Sequence, residues 1–386
     1  MLKGYKRKDG KFGIRNHLLV IPTSVCASHT ANKIAELVDG AIALPNQHGC
    51  CQINKDSEAT ERVLVGFGKN PNVGAVLVVG LGCDGIQAKN VADKISESKE
   101  NVDYIVIQEN EGTINTISKG ALTLRKFSEK MSQIEKEEFD ISELVIAMEC
   151  GGSDPTSGLA SNPSIGYASD YIVENGGSTI LSETTEVIGA EQILAPRFKD
   201  EKEREKFLNF VQYTEDRAMA VGEDLRSGQP TPGNKVGGLS TIEEKSLGCM
   251  YKAGTKDFVK AIDYAEMVDK NKKGLYFMDT PGQDIDSITG MVAGGAQLVI
   301  FSTGRGTPTG NPIAPVIKIT GNNETYNNMS DNIDINAGTI ITEGKEISEI
   351  GQELIDMIIK VCNGYMPKSE TLGHKEFGIF KSIGTF

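Results

Sequence analysis

The chain has 386 residues, of which 53 are acidic and 40 basic, and its formal net charge at pH 7 is −13. This acidity argues against nonspecific nucleic-acid binding, which requires a positive field. The length suffices for two or three domains with their own cores, so no disulfide framework is needed. Because the seven cysteines are odd in number and neither a signal peptide nor a membrane-spanning run is found, we predict a cytoplasmic protein without a membrane partner.

Strand-like and helix-like runs alternate from the amino terminus. The apolar, β-branched runs that predict strands cover 17–22, 41–45, 75–80 and 104–107. The amphipathic runs that predict helices cover 28–38, 56–67, 86–96 and 112–130. Such alternation predicts a parallel sheet covered on both faces. Residues 1–135 are therefore predicted to form a Rossmann-like α/β domain, although no Gly-x-Gly-x-x-Gly follows the first strand to indicate a dinucleotide.

The charged segment 129–140 is the predicted domain boundary, and the exposed end of a long helix is the alternative interpretation. Further strand-like runs follow it, at 144–148, 178–181, 274–278, 297–301 and 315–320. Between them, 199–225 predicts a long charged helix, and the Pro- and Gly-rich stretch 227–238 predicts a loop. The stretch 243–254, which contains Cys249, is predicted to form another loop with polar and thiol groups. We therefore expect a larger α/β domain over 140–386.

Four cysteines follow apolar runs, at the point where a strand should end and a loop begin. They are Cys26, Cys50, Cys83 and Cys150. The carboxyl ends of parallel strands lie along one edge of a sheet, where α/β proteins place their sites. If the runs belong to one sheet, the four thiols crowd one crevice and predict a thiolate or soft-metal site. A closed zinc site is not supported, because the chain has no pair of Cys-x-x-Cys motifs.

Two Gly-rich blocks follow strands of the second region. The first, Glu149-Cys-Gly-Gly-Ser-Asp154, can aim backbone N–H groups at an anion while its thiol and carboxylates face the same space. In the alternative interpretation, Ser153 or Asp154 simply caps a helix. The second block, Phe301–Gly310, places hydroxyl groups and Arg305 between glycines, which lets a guanidinium approach a carboxylate.

A third block, Asn46–Gln52, combines His48 with Cys50 and Cys51. An imidazole beside a thiol predicts either a pair of metal ligands or a thiolate tuned by the imidazole. A hydrogen-bond donor that is satisfied within its own loop is the alternative for His48.

These blocks belong to a longer ordered series of motifs. The series comprises Arg15-Asn16, Pro22-Thr23 with Cys26, Gly49-Cys50 with Gln52, Gly80-Leu-Gly-Cys-Asp84, Glu149-Cys-Gly-Gly-Ser-Asp154, Pro232-Gly-Asn234 with Gly237-Gly238, Ser246-Leu-Gly-Cys249, Phe301-Ser-Thr-Gly-Arg-Gly-Thr-Pro308 and Ala337-Gly338. Over nearly the whole chain it resembles the large catalytic region of the altronate/galactarate dehydratase family. That family includes the large subunit of sulfolactate sulfo-lyase, which the stretch 312–321 resembles in particular.

The resemblance implies lyase chemistry on an anionic 2-hydroxy acid with Fe²⁺ or another divalent metal such as Mn²⁺; an iron–sulfur cluster is the alternative. It implies dehydration of altronate or galactarate to a 2-keto-3-deoxy acid, or else release of sulfite and pyruvate from (2R)-sulfolactate. Single-chain members carry an N-terminal SAF domain, which this sequence lacks. The resemblance therefore implies a large subunit that works with a separate small SAF subunit in an oligomer.

Roles for individual residues follow as expectations. The predicted metal or cluster ligands are Cys50, Cys83, Cys150 and Cys26. The candidates for catalytic base or ligand are Glu149, Asp154 and His48. The residues expected to bind substrate are Ser153, Ser302, Thr303 and Arg305. A mononuclear site with oxygen and imidazole ligands, with the cysteines as bystanders, is the alternative within this class. A noncatalytic sugar-acid-binding paralogue is the alternative outside it.

Overall fold

The computed structural model describes residues 1–385, apart from the side chain of Asn54. The strands are β1 (Leu2–Lys6), β2 (Phe12–Gly13), β3 (His17–Pro22), β4 (Ala41–Ala43), β5 (Val73–Gly80), β6 (Asn101–Val106), β7 (Glu137–Phe139), β8 (Val145–Gly151), β9 (Ser178–Leu181), β10 (Phe258–Ile262), β11 (Leu275–Met278), β12 (Leu298–Thr303), β13 (Val316–Thr320) and β14 (Ile335–Asn336).

The helices connect these strands and cover the sheets. They are α1 (Val25–Glu36), α2 (Asn54–Lys69), α3 (Ala88–Ser96), α4 (Thr113–Ser132), α5 (Asn162–Glu174), α6 (Glu191–Leu194), α7 (Glu201–Met219), α8 (Leu225–Gly228), α9 (Pro232–Val236), α10 (Ile242–Met250), α11 (Asp284–Ala293), α12 (Asn323–Asn328), α13 (Thr339–Glu343), α14 (Ile347–Cys362) and α15 (Lys368–Thr371). Within the described residues, none of these helices has both the length and the apolar composition that a membrane crossing requires.

Two parallel sheets form the framework of the molecule. The smaller has the strand order β4-β3-β5-β6, and the larger has the order β10-β11-β9-β8-β12-β13-β14. The central strand β5 is apolar along its whole length and every residue of it is buried, because helices cover both faces of the sheet. The predicted α/β class, with a Rossmann-like parallel sheet followed by a larger α/β region, is confirmed.

The two parallel sheets pack on a common layer of helices. Helices α2, α3 and α11 lie between the two sheets, and a continuous apolar cluster joins residues such as Val76 of the smaller sheet to Val299 of the larger. Helices α1 and α4 cover the outer face of the smaller sheet. Helices α5 and α14 cover the outer face of the larger one.

The strands predicted from apolar runs are all present, with ends that shift by a few residues. The short strands β1, β2 and β7 were not predicted; they form a separate antiparallel sheet in the order β2-β1-β7. Strand β7 lies inside the charged segment 129–140, so that segment is more than the end of a helix. The domain division itself stays a prediction.

Two predictions for the second half of the chain are corrected. The stretch 227–238, predicted as a loop, contains helix α9, whose first residue Pro232 needs no N–H donor there. The motif that ends in Cys249 was expected in a loop but lies on α10, which Thr241 caps by accepting from the N–H of Glu244.

Candidate active site

A cavity of about 210 Å³ opens at the carboxyl edge of the larger sheet. Its side-chain walls come from segments that follow four neighbouring strands, β8, β9, β11 and β12, together with α9 and α10. The residues that supply functional groups are Cys150, Ser153, Glu186, Asn234, Lys245, Asp284 and Arg305. We call this space the site cavity. Its position is the one that parallel α/β sheets favour for ligands.

The two Gly-rich blocks predicted from sequence meet at this cavity. Strands β8 and β12 are neighbours, and Cys150 pairs in register with Ser302. The backbone N–H of Arg305 donates to the carbonyl of Gly152 at 2.9 Å. The guanidinium Nη1 of Arg305 donates to the carbonyl of Gly233 at 2.8 Å, which holds this cation at the cavity rim.

Cys150, Glu186 and Cys249 form a buried group whose ligand atoms all lie within 4.8 Å of one another. The Sγ of Cys150 is 3.0 Å from the Oγ of Ser153. The hydrogen bond from Cys249 lowers the pKa of Cys150 to about 7, and the charge of Lys252 adds to this effect against the cost of burial. The same bond, together with burial, raises the pKa of Cys249. Of these two thiols, Cys150 is therefore the one that ionises more readily.

Glu149, Glu183 and Asp284 form a second group with the same spacing. It adjoins the first, because the backbone N–H of Cys150 donates to Glu183 at 3.0 Å. Burial and the charge of Asp284 raise the pKa of Glu149 to about 8. Burial and the charge of Glu149 raise the pKa of Glu183. Burial, followed by the charge of Glu186, raises the pKa of Asp284 to about 6. Glu149 and Asp284 can therefore take up and release protons near neutral pH.

Two lysines balance the negative charge of the site. The Nζ of Lys252, which is fully buried, donates to Glu183 at 2.8 Å and to Glu186 at 3.3 Å. The Nζ of Lys245 lies 3.2 Å from Glu186. Burial alone would raise the pKa of Glu186, but these cations lower it to about 2. Glu186 is thus ionised at any physiological pH, in contrast to Glu149, whose pKa is about 8.

The end of β8 must be glycine for the site to close. A Cβ on Gly151 would lie 2.2 Å from the Oδ2 of Asp284, so a side chain there would displace that carboxylate. Gly152 has φ +61°, a conformation that glycine adopts without the strain that a Cβ introduces. The Gly-Gly turn therefore brings β8 against the first residue of α11.

Several residues predicted to act in the site instead hold the backbone that surrounds it. The carboxylate of Asp154 accepts from the hydroxyl of Thr156 at 2.6 Å and from the amide of Asn322 at 3.0 Å. The Oγ of Ser302 shares a hydrogen bond of 2.8 Å with Ser161, and the Oγ1 of Thr303 accepts from the N–H of Gly306 at 2.9 Å. Their predicted catalytic and binding roles stay predictions.

The structure corrects the expectation that four thiols share one sheet edge. Strands β3, β4 and β5 belong to the smaller sheet, so Cys26, Cys50 and Cys83 lie near its carboxyl edge, exposed, whereas Cys150 is buried at the end of β8. Within residues 1–385, no group of three ligand atoms spaced within 4.8 Å includes any of the three exposed thiols. Their role as metal ligands stays a prediction.

His48 also lies near the smaller sheet. Its backbone carbonyl accepts from the N–H of Val25 at 2.9 Å, and its ring is half-buried. Burial and the positive charge of Lys381 lower the pKa of His48, so its ring is neutral at physiological pH. It does not line the site cavity.

The donor set of the site fits a divalent metal. Thiolate and carboxylate groups are ligands that Fe²⁺ and similar ions accept, and Cys150, Glu186 and Cys249 offer both kinds. In the described part of the chain, the Oε1 atoms of Glu149 and Glu183 are buried without a hydrogen-bond partner. Buried polar atoms rarely lack a hydrogen-bond partner, and a nearby cation is one way to compensate for its absence.

The sequence analysis did not assign roles to Glu183, Glu186, Lys252 or Asp284. The signal was present, since Ser182-Glu-Thr-Thr-Glu186 follows the run 178–181 and Asp284 follows the run 274–278 after a Thr-Pro-Gly turn. These are the same strand-end positions that drew attention to the cysteines. Carboxylates are common on protein surfaces, so their positions in the sequence do not mark these three as functional. Their burial, which only the structure reveals, distinguishes them from surface carboxylates.

Comparison with known proteins gives two family matches that follow each other along the chain. The model described as "D-galactarate/Altronate dehydratase, C-terminal" matches residues 141–385. The model described as "D-galactarate dehydratase/Altronate hydrolase, second domain" matches residues 4–132.

Relatives of known name match over nearly the whole chain. The altronate dehydratase of Bacillus subtilis (strain 168) is 34% identical over 98% of this chain and 77% of its own length. The (2R)-sulfolactate sulfo-lyase subunit beta of Chromohalobacter salexigens is 37% identical over 97% of this chain and 95% of its own length. The galactarate dehydratase (L-threo-forming) of Escherichia coli (strain K12) is 33% identical over the full chain and 76% of its own length.

Proposed function

Because the chain belongs to the D-galactarate/altronate dehydratase family, we propose that it is a lyase that dehydrates a 2-hydroxy sugar acid to a 2-keto-3-deoxy acid. The observation that carries the proposal is the composition of the site cavity. A guanidinium, an ammonium, a thiol of lowered pKa and a carboxyl of raised pKa face one space that suits a small organic anion.

In this proposal, Arg305 binds the substrate carboxylate. Its Nη1 is engaged by Gly233, and the planar fork of a guanidinium leaves further N–H donors for a carboxylate. Binding the carboxylate at this rim orients C2 of the substrate toward the floor of the cavity.

Asp284 is the proposed base that removes the C2 proton. Its pKa of about 6 makes it mostly ionised at neutral pH yet basic enough to accept a proton, which is the balance general-base catalysis requires. A carboxylate oxygen of Glu149 lies within 4.8 Å of one of Asp284, and the pKa of Glu149 is about 8, so the two carboxyl groups can exchange a proton. Lys245 remains charged and stabilises the negative charge that develops on the substrate.

Cys150, Glu186 and Cys249 are the proposed metal-holding residues, and Fe²⁺ or Mn²⁺ is the proposed ion. When bound there, a divalent ion supplies positive charge beside the substrate oxygens that become negative as the C2 proton leaves. The oxygen-only group of Glu149, Glu183 and Asp284 is the alternative holder. We favour the sulfur-containing group because the thiol of Cys150 has a lowered pKa and faces the cavity.

A second candidate reaction is the release of sulfite from sulfolactate. The chain spans 95% of the sulfo-lyase subunit, compared with 77% of the altronate dehydratase. Sulfite and water are alternative leaving groups from C3 in the same elimination. Because this relative is named as subunit beta, we also propose a partner subunit, a small SAF-type protein. Four exposed cysteines are free thiols, and we therefore propose that the enzyme works in the cytoplasm.

Metal binding tests the assignment of the thiols. We expect the double variant Cys150→Ser/Cys249→Ser to lose the bound metal and, after Co²⁺ loading, the thiolate-to-cobalt charge-transfer absorption. The matched control, Cys26→Ser/Cys83→Ser, removes two of the three exposed thiols that were predicted as ligands. If the control loses the metal and the first variant keeps it, the ligands lie at the smaller sheet and the proposed site is wrong.

Turnover tests the reaction. The chain is assayed anaerobically with Fe²⁺, alone and with its partner subunit, on altronate, galactarate and sulfolactate, with 2-keto acid and sulfite as readouts. We expect one of the sugar acids to yield a 2-keto acid. Release of sulfite instead selects the second candidate. Tight binding of a sugar acid without turnover on any substrate makes the chain a noncatalytic binding protein and overturns the proposal.

A further inference from the structure

Cys50 and Cys51 form a close pair of exposed thiols outside the site cavity. Their Sγ atoms are 3.8 Å apart, and both side chains are exposed. Free cysteine is among the residue types most often buried, so two exposed neighbours gain nothing from packing. The exposure of both thiols is therefore not explained by a contribution to stability.

The backbone at this pair is strained. Cys51 has φ +54°, in the left-handed region that L-residues with a side chain seldom adopt. Glycine or asparagine would suit this position better, and the exposed Cys51 side chain has no buried contact that compensates. Strain of this kind at an exposed residue is typical of positions kept for function.

The loop that carries the pair is held in place by other residues. The side chain of Gln52 accepts from the N–H of Gly49 at 3.1 Å, and the backbone of Gln52 bridges to Thr385 in the C-terminal tail. The carboxylate of Asp56 accepts from the N–H groups of Ile383 at 2.8 Å and Gly384 at 2.9 Å. The thiols are thus presented by a framework to which they do not contribute.

The predicted role of Cys50 as a metal ligand stays a prediction, but the surroundings of the pair favour a different bond. Among residues 1–385, no third cysteine, histidine or carboxylate offers a ligand atom within 4.8 Å of both sulfurs. Adjacent cysteines with no third ligand are instead suited to bonding with each other. A disulfide requires the sulfurs to approach to about 2 Å. Because adjacent Cα atoms are only about 3.8 Å apart, closing the bond between Cys50 and Cys51 also changes the backbone torsions of the pair.

We propose that Cys50 and Cys51 form a reversible disulfide with each other, and that its closure alters the docking of the C-terminal tail, residues 378–385. The oxidant is a low-molecular-weight disulfide of the glutathione type. One cysteine thiolate attacks it, a mixed disulfide forms and one small thiol leaves. The second cysteine then attacks the mixed disulfide and releases the second small thiol, so the two cysteines lose two hydrogens and the oxidant gains them.

The C-terminal tail connects the proposed disulfide to the rest of the molecule. Closure constrains the backbone torsions next to Gln52, which pairs with Thr385. The same tail contacts α11, because the N–H of Gly378 donates to the Oγ1 of Thr289 at 3.3 Å. Helix α11 begins at Asp284, the proposed base, so oxidation of the pair is linked through the tail to the site.

Peptide mapping tests whether the bond forms. The folded protein is equilibrated with oxidised and reduced glutathione, free thiols are blocked, and the tryptic peptide 34–55 is weighed; its only cysteines are Cys50 and Cys51. We expect this peptide to lose two hydrogens and to regain them with dithiothreitol. The variant Cys51→Ser should instead keep a glutathione adduct on Cys50, because the second thiol is absent.

The control Cys26→Ser/Cys83→Ser should close the bond as the wild type does. Two results overturn the proposal: a wild-type peptide that keeps both thiols or its glutathione adduct, and a bond from Cys50 to Cys26 or Cys83. Hydrogen exchange of the tail amides is measured on both redox forms, and we expect faster exchange over residues 382–385 in the closed form. Closure without any change in that exchange rules out the switch.

Discussion

Lys252 is the residue on which the charge balance of the site depends. It is fully buried, and its ammonium group lies between the carboxylates of Glu183 and Glu186. Burial penalises the charged form, but the two carboxylates raise the pKa of Lys252 well above its usual value. Without this cation, the carboxylates would remain buried with much less compensation, which costs far more than the loss of an ion pair in water.

We therefore expect Lys252→Met to lower the free energy of unfolding by about 3–5 kcal/mol, the usual loss when one partner of a buried ion pair is removed. Urea denaturation of the metal-free protein measures it. Lys256→Met is the matched control, because Lys256 pairs with Glu174 at the surface and its loss should leave the free energy nearly unchanged. Equal effects of the two substitutions would show that Lys252 is not essential to the balance of charge.

At the scale of elements, the site depends on how closely β8 approaches α11. The Gly-Gly turn ends β8, and the first residue of α11 is the proposed base, Asp284. The amide N–H groups of Ile285 and Asp286 are capped by the side chain of Gln283, which fixes the start of the helix. Any side chain at the end of β8 would have to move this helix start.

Gly151→Ala should lower kcat/KM by about 10–100-fold, the range seen when residues that orient a site are changed. The new Cβ would lie 2.2 Å from the Oδ2 of Asp284 and displace that carboxylate. Steady-state kinetics measure the loss, and circular dichroism verifies the fold. The control Gly228→Ala lies in α8, where an added Cβ has no neighbour within 4 Å, and its kinetics should match the wild type. Normal kinetics for Gly151→Ala would argue against Asp284 as the base.

At the scale of the whole molecule, hydrogen bonds from two buried asparagines join the two sheets. The Nδ2 of Asn70 donates to the carbonyls of Val292 at 2.9 Å and Ala296 at 2.8 Å. The Nδ2 of Asn72 donates to the carbonyls of Gln297 at 2.8 Å and Ile313 at 2.9 Å. Because these bonds and the apolar cluster join the two sheets, we expect the two halves to unfold as one cooperative unit.

Asn72→Ala is expected to lower the free energy of unfolding by about 1–3 kcal/mol and to lower Tm, because buried carbonyls lose their donor. Scanning calorimetry should show one unfolding transition in the wild type. The exposed Asn115, which donates to Glu111 at 3.1 Å, supplies the control Asn115→Ala, and the Tm of this variant should not change. Two separate transitions in the wild type would show that the halves unfold independently.

Much of the fold could be read from local patterns. Apolar β-branched runs such as 75–80 predict strands, because a strand buried on both faces needs apolar residues at every position. The amphipathic run that follows each strand predicts its helix. Short strands such as β1 and β14 carry no such pattern, because their pairing depends on distant partners.

The sequence alone determined the α/β class, the family, and the strand ends that bear the polar groups of the site. It identified Cys150, Glu149 and Arg305 because a local signal, a Gly-rich turn after an apolar run, marks each block. Only the tertiary structure decided which strand ends are neighbours. The order β11-β9-β8-β12 brings Asp284, Glu186 and Cys150 together, and a second sheet carries Cys50 away from them. Strand order and burial arise from contacts between distant parts of the chain, and burial is what shifts the pKa values on which the chemistry depends.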